Sequence, residues 1–219
     1  MPAPNLSSIL FLPESNRSIN RKAPFILKDF AALDTLQEML SYAKEKLKMV
    51  GAGSGRVVYI ISAKTVLKLA ETDEGVFQNK EEFKMVGNAP PEAQLVVPAI
   101  KAFDRARGFW MISELVRPLK NWNDFEQAMG GMTKETFEGI ILAPEFPSLP
   151  PTRLRQMGAP EKLLGWFAGA QALVRTGLSP KDMIGIHQLG KNREGDIVFL
   201  DVGGTVEFLE TFYDSWFGE

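Results

Sequence analysis

The chain has 219 residues, of which 45% are hydrophobic and 24% are charged, and its formal net charge is -2. This composition is ordinary for a globular protein, with enough apolar residues for one domain or two small lobes. The near-balance of charges provides no basic field to attract nucleic acid, so nucleic acid is not an expected partner. The absence of cysteine and the single histidine exclude disulfides, thiolate nucleophiles and His-rich zinc sites.

The N-terminal region, residues 1–28, combines prolines with scattered polar residues, which predicts an extended arm. It begins without a charged segment preceding an apolar one, as a secretory signal would have. No apolar run reaches the roughly 20 residues that a membrane span needs. We therefore expect a soluble cytoplasmic protein with no membrane partner.

Residues 29–117 carry patterns typical of a sheet accompanied by helices. An apolar spacing near 3.6 from Phe30 to Leu47 predicts one amphipathic helix ending around Lys48. The β-branched and aromatic segments 56–62 and 65–70 predict a hairpin. A helix is expected over 75–86, followed by strands over 96–103 and 109–115. This region should be a mostly antiparallel sheet with one inserted helix.

Residues 118–219 are expected to be mainly helical. Helical segments are predicted near 123–129 and 134–142, whereas the prolines of 144–151 predict irregular structure. A strongly apolar helix is predicted over 161–175 and a late hairpin over about 190–200.

Three separate parts of the sequence together suggest a nucleotide site. The segment 51–55 is a glycine-rich turn whose backbone amides can approach phosphate oxygens, because glycine takes φ values that other residues avoid. Lys68 lies in a strand, and by alternation its neighbours Leu67 and Leu69 should face the opposite side. Asp201 ends an apolar strand. An ammonium for phosphate and a carboxylate for Mg²⁺ would then face one cleft. The residues assigned to the turn are Gly51, Gly53, Ser54 and Gly55.

Each of these features also has a plainer interpretation. A glycine cluster before a strand is commonly a flexible turn, and a strand lysine commonly faces solvent. Asp201 precedes Val-Gly-Gly and therefore suits a simple turn.

The order of glycine loop, strand, lysine strand, glutamate helix, two strands and helices resembles the protein-kinase-like superfamily over about residues 48–205. The resemblance implies an α+β, bilobal protein-kinase-like fold. Its N-terminal antiparallel sheet lobe with one helix would be 29–117, and its reduced, mainly helical C-terminal lobe would be 118–219. ATP and Mg²⁺ are the implied cofactors, with a nucleotide as partner.

The resemblance also assigns roles in the first lobe. Lys68 would contact the α- and β-phosphates and pair with a helix glutamate. Glu82 is preferred for that pairing over Glu81, which points about 100° away on a helix. Backbone groups of the segment from Glu114 to Val116 would hold the adenine.

In the second lobe the resemblance makes Asp182 the catalytic base and Asp201 the Mg²⁺ ligand. The family's metal-binding asparagine is missing. Gln188, whose amide oxygen can bind a cation, is the preferred substitute, whereas His187, five residues after Asp182, is interpreted as structural. A cap or loop role is the plainer alternative for Asp182.

A narrower resemblance is to the small kinase-like proteins encoded by bacteriophages and prophages. It rests on the segment from Asp182 to Gly190 and on Asp201-Val-Gly-Gly-Thr. These small proteins also tend to pair a glycine-arginine-valine-tyrosine loop with a leucine-lysine strand and a Gln-Asn element, which here is Gln78-Asn79. Two functions follow: an ATP-dependent phosphotransferase, or a non-catalytic, pseudokinase-like phage protein that binds nucleotide or a host or virion partner. The missing asparagine and the short stretch after Asp201 favour the second.

Overall fold

The structure is a computed structural model, in which residues 24–205 are described. Their contacts separate into two compact units. The first contains the described residues up to Lys80 together with Ile100–Leu115, and the second contains Glu81–Ala99 together with the described residues from Val116 onward. An antiparallel sheet dominates the first unit and helices dominate the second. The predicted α+β class is therefore confirmed, while the domain bounds 29–117 and 118–219 stay a prediction.

The region before the sheet forms two helices, α1 at Leu27–Ala31 and α2 at Leu36–Lys46. The prediction of one helix ending around Lys48 was wrong. Thr35 starts the second helix with a capping box, in which its hydroxyl accepts from the Glu38 amide at 3.2 Å and the Glu38 carboxylate accepts from the Thr35 amide at 3.0 Å. Most of the predicted N-terminal arm, residues 1–23, lies outside the described residues.

The sheet of the first unit is antiparallel throughout and has the strand order β1-β2-β3-β5-β4. The predicted hairpin is formed by its second and third strands. The strand predicted over 96–103 is shorter: a 3-10 turn ends at Val96, and the observed strand begins at Ile100. The strands are β1 Lys48–Ala52, β2 Arg56–Ile60, β3 Thr65–Ala70, β4 Ile100–Phe103 and β5 Trp110–Glu114.

One face of this sheet packs against α1 and α2. Burial of its large apolar side chains, each contributing roughly 1.5–3 kcal/mol, stabilises the unit. Because side chains alternate along a strand, Lys68 lies on the other face. The buried members of the packed cluster are Phe30, Met39, Ala43, Val57, Tyr59, Leu67, Leu69, Trp110 and Ile112.

A 16-residue helix, α3, spans Asp73–Asn88 and contains the predicted segment 75–86. Asp73 and Glu74 lie in its first turn, where acidic side chains interact favourably with the helix dipole. The helix belongs to the first unit up to Lys80 and to the second unit from Glu81.

Besides the end of α3, the second unit contains five helices and a short three-stranded sheet of order β6-β7-β8 within the described residues. The irregular structure predicted for 144–151 was wrong at Phe146–Ser148, a 3-10 turn, and at Pro151, which occupies the first helical position of α6. The elements are β6 Arg117–Pro118, α4 Trp122–Ala128, α5 Lys134–Ile141, α6 Pro151–Gln156, α7 Leu164–Arg175, α8 Pro180–Met183, β7 Leu189–Lys191 and β8 Ile197–Phe199.

The core of the second unit is built around α7 and a set of fully buried phenylalanines. Gln171 on this helix donates hydrogen bonds to the carbonyls of Phe146 at 2.6 Å and Leu149 at 2.9 Å. These bonds satisfy two backbone acceptors of the proline-rich segment. Within residues 24–205, no helix combines the length and apolarity that crossing a membrane would require. The fully buried phenylalanines are Phe125, Phe137, Phe146, Phe167 and Phe199.

Candidate functional site

The glycine-rich turn is a tight connection between β1 and β2. The Gly53 amide donates to the Arg56 carbonyl at 2.8 Å, which leaves Ser54 and Gly55 at the tip. Gly51, Gly53 and Gly55 are not among the described glycines with positive φ. The conformational reason expected for these glycines was therefore wrong.

Close packing explains Gly55 instead. A methyl group at Gly55 would overlap the backbone nitrogen of Gly75, in the first turn of α3, and one at Gly75 would overlap the Gly55 carbonyl oxygen. That oxygen accepts a hydrogen bond from the Glu71 amide at 2.8 Å. Ser54 Oγ is hydrogen-bonded to Glu74 Oε1 at 2.6 Å. These contacts hold the tip of the turn against the start of α3.

A buried polar network follows the turn. Arg56 is 5% exposed, and its Nη1 donates to Asn79 Oδ1 at 3.1 Å. Asn79 is fully buried, and its Nδ2 donates to the carbonyls of Gly108 at 3.0 Å and Phe109 at 3.1 Å. Sequence reasoning quoted Arg56 and Asn79 as motif members but did not link them. The available signal was Arg56, the charged side chain of the otherwise apolar strand β2, whereas α3 contains many polar residues and gave no signal for Asn79.

Lys68 lies in the middle of β3, opposite Val58 of β2 and Met111 of β5. It is only 7% exposed, which excludes the interpretation of a solvent-facing strand lysine. Leu67 and Leu69 are buried in the cluster on the other face, as alternation predicted. Lys68 is thus a buried cation on the sheet face that α1 and α2 leave uncovered.

The segment predicted to hold adenine begins at the end of β5. Glu114 is the last residue of that strand and pairs with Thr65, whereas Val116 is buried and belongs to the second unit. Ser113, directly before this segment, has a buried Oγ without a hydrogen-bond partner among the described residues.

The second unit brings Asp182 and Asp201 together. Burial of the Asp182 carboxyl and the negative charge of Asp201 raise the pKa of Asp182 from 3.8 to about 6. Asp182 Oδ2 is buried and has no hydrogen-bond partner within the described part of the chain. A methyl group at Gly204 would overlap this oxygen, so the stretch after Asp201 packs directly on Asp182.

Asp201 lies just after β8 and forms the turn that its sequence suggested. Its Oδ1 accepts a hydrogen bond from the Gly203 amide at 2.9 Å. Further along, the Ser179 amide donates to the Gly204 carbonyl at 3.4 Å, and Thr205 pairs with Leu178. The plainer interpretation of Asp201 as a turn residue is therefore correct, and its role as a Mg²⁺ ligand stays a prediction.

Gln188 ends the 3-10 turn Ile186–Gln188. Its backbone carbonyl accepts from the Leu200 amide at 2.7 Å, which places it beside the residue that precedes Asp201. Gln188 Oε1 is buried without a partner among residues 24–205. Its neighbour His187 has its pKa lowered by burial, and its ring packs on Gly185 so closely that a methyl group there would overlap it. This packing agrees with a structural role for the histidine.

Both candidate glutamates of α3 are buried: Glu82 is 1% exposed and Glu81 is 8% exposed. Glu81 contacts Lys84 at 3.4 Å and accepts from Thr205 Oγ1 at 3.5 Å. The glutamate that sequence reasoning set aside therefore contacts the stretch that follows Asp201. The pairing preferred for Glu82 stays a prediction.

The oxygen donors of the second unit suit Mg²⁺, which prefers carboxylate and amide oxygens and retains several waters. Asp201 supplies a carboxylate, and Gln188 supplies a buried amide oxygen that needs a partner. Among the residues from 24 to 205, no group of three or more His, Cys, Asp or Glu side chains could hold a metal. A Mg²⁺ ion here would depend on water and ligand oxygens for the rest of its coordination shell.

No protein-family model matches the chain, and no curated protein matches it. Among solved structures, the structure of the GDP and kanamycin complex of APH(2")-IIia is similar over 78% of this chain and 73% of that chain. The two are 11% identical, and the TM-score is 0.38. A likeness this distant supports no functional statement about the present chain.

Proposed function

We propose that this protein is a kinase-like phosphotransferase that binds ATP with Mg²⁺ and uses Asp182 as its base. One observation carries the proposal. In the second unit, the buried side-chain oxygens that lack a hydrogen-bond partner within the described residues belong to Asp182 and Gln188. Leaving such an oxygen unsatisfied costs about 1–3 kcal/mol. Native proteins satisfy nearly all buried polar atoms, and the exceptions call for an explanation such as a catalytic role or a bound ion.

Asp182 has the properties of a general base. A pKa of about 6 leaves the carboxylate mostly ionised at neutral pH while making it more basic than an ordinary aspartate. Its unsatisfied Oδ2 can accept the proton of an attacking hydroxyl group. Asp201 contributes to this basicity through its negative charge.

The other roles follow from charge and donor chemistry. Lys68, a buried cation, would neutralise phosphate charge, and the turn of Gly51, Gly53, Ser54 and Gly55 would supply backbone amides. Glu82 would orient Lys68, and backbone groups of the segment from Glu114 to Val116 would hold the base. Asp201 and Gln188 would hold Mg²⁺, which when bound neutralises charge on the phosphate oxygens.

The second candidate is a non-catalytic protein of the small phage type that binds nucleotide, or a host or virion partner, through the same fold. His187 favours it, because this residue stands where the family pattern places a metal-binding asparagine. Its ring is packed on Gly185, and burial lowers its pKa.

Thermal unfolding with and without ATP and Mg²⁺ tests nucleotide binding, because a ligand selective for the folded state stabilises it by about 2.7 kcal/mol at 100 times its Kd. We expect stabilisation of the wild type and its loss in Lys68→Met. The exposed Lys64 lies in the turn before β3, so Lys64→Met is the matched control. No stabilisation of the wild type at millimolar ATP would exclude the phosphotransferase.

Turnover separates the two candidates. For the phosphotransferase, Asp182→Asn should abolish ATP turnover while the stabilisation by ATP persists. A wild type that is stabilised by ATP but has no turnover with any acceptor, water included, would support the non-catalytic protein.

A further inference from the structure

The tip of the glycine-rich turn is already bound to an anion of the protein itself. Ser54 Oγ donates to Glu74 Oε1 at 2.6 Å, a short hydrogen bond of the kind that an ionised acceptor gives. The Gly55 carbonyl is fixed by the Glu71 amide, and its backbone packs on Gly75. The hydroxyl donor of the turn is therefore committed to a carboxylate.

The acidic surroundings of the turn oppose phosphate. Glu71, Asp73 and Glu74 lie within four residues of one another at the start of α3, the end of the helix that contacts the turn. A phosphate at Ser54 would need the donor that Glu74 occupies, and it would meet charges of its own sign. The first helical turn itself favours a carboxylate at Glu74.

We propose that Glu74 is an autoinhibitory anion, which holds Ser54 and competes with the phosphates of an incoming nucleotide. This inference rests on the proposed function, because it takes the turn as a phosphate-binding element. On binding, the hydrogen bond from Ser54 to Glu74 breaks, and Ser54 Oγ donates to a phosphate oxygen instead. The exchange is needed for ATP and is not needed for adenosine.

Isothermal titration of the full chain with ATP, AMP and adenosine in the presence of Mg²⁺ tests the proposal. Glu74→Gln removes the charge while keeping the size of the side chain. We expect it to raise ATP affinity about three- to tenfold, to raise AMP affinity less, and to leave adenosine affinity unchanged. Asp73→Asn is the matched control, because Asp73 is exposed, lies in the same turn and has no hydrogen bond to Ser54 in the described structure.

Hydrogen exchange without nucleotide supplies an independent measurement. The amides of residues 53–56 should exchange faster in Ser54→Ala than in the wild type. Unchanged exchange would show that the hydrogen bond to Glu74 does not restrain the turn.

An equal gain of ATP affinity in Glu74→Gln and Asp73→Asn would contradict the proposal, because it would show that any acidic side chain near the turn weakens ATP binding through its charge. If the wild type binds ATP and Glu74→Gln binds it no better, only the autoinhibition fails. If neither protein binds ATP, the proposed function fails with it.

Discussion

Gly55 and Gly75 touch through their backbones, 20 residues apart in sequence, and the space between them has no room for a side chain. This contact joins the tip of the turn after β1 to the first turn of α3. Two further hydrogen bonds, from Glu71 to Gly55 and from Ser54 to Glu74, act at the same place. The position of the turn is thus set by backbone packing.

Gly75→Ala should lower the free energy of unfolding by about 2–4 kcal/mol, because the added methyl group overlaps backbone that cannot rotate away. Chemical denaturation measures this change. Gly87 is the control: it lies in the same helix and has nothing within 4 Å of an added Cβ. There, alanine should be neutral or stabilise by about 0.5 kcal/mol, since alanine favours helix. Equal effects at the two positions would contradict the packing explanation.

Asn79→Ala should cost about 2–4 kcal/mol of unfolding free energy, because it removes a buried hydrogen bond to Arg56 and those to the carbonyls of Gly108 and Phe109. The Phe109 carbonyl keeps its hydrogen bond from the Ala70 amide. The neighbouring, half-buried Gln78 offers a control, and Gln78→Ala should change stability by less than about 1 kcal/mol. A loss below 1 kcal/mol in Asn79→Ala would mean that this network contributes little.

Asp182 should make the protein less stable as pH rises. Its pKa is higher in the folded state, about 6, than the ordinary value of 3.8, so its favourable contribution is complete below about pH 4 and is lost as pH rises through 6. Asp182→Asn has no carboxyl group at this position and therefore does not lose stability in this way as pH rises. The stability of the variant relative to the wild type should therefore increase by up to about 3 kcal/mol between pH 4 and pH 8. A difference that does not vary with pH would refute the raised pKa.

Asp201→Asn should lower the pKa of Asp182, because one of the two causes of its elevation is the negative charge of Asp201. Burial remains, so the pKa should stay above its ordinary value. Carboxyl NMR titration measures the pKa of Asp182 in the wild type and in the variant. If the protein transfers phosphate, the acidic limb of its pH–rate profile, which rises through about pH 6, should be set by the same group. An unchanged pKa in the variant would leave burial as the whole cause.

The parts of the fold that depend on neighbouring residues could be predicted from the sequence. Alternation placed Lys68 opposite Leu67 and Leu69, and the hairpin and α3 were found from local patterns. The start of α2 could also have been predicted, since Thr35 and Glu38 form a capping box. It was missed because the apolar spacing continues across the break and indicated one helix.

The parts that depend on distant contacts could not be predicted. The need for glycine at position 55 arises from Gly75, and no local pattern reveals it. The resemblance placed Asp182 and Asp201 in one site, but burial and the charge of its neighbour, which raise the pKa of Asp182, are properties of the folded state. The contact of Glu81 with Thr205 spans 124 positions and was missed for the same reason.

The division of the chain within α3 has a consequence for folding and for fragment design. β5 lies between β3 and β4 in the first sheet, yet the chain reaches it only after Glu81–Ala99, which belongs to the second unit. Neither unit can therefore be excised as one continuous segment. A fragment ending at Lys80 would leave β3 with an open edge, a known route to aggregation. During synthesis, the strand that carries Lys68 would gain its second neighbour only when β5 has left the ribosome.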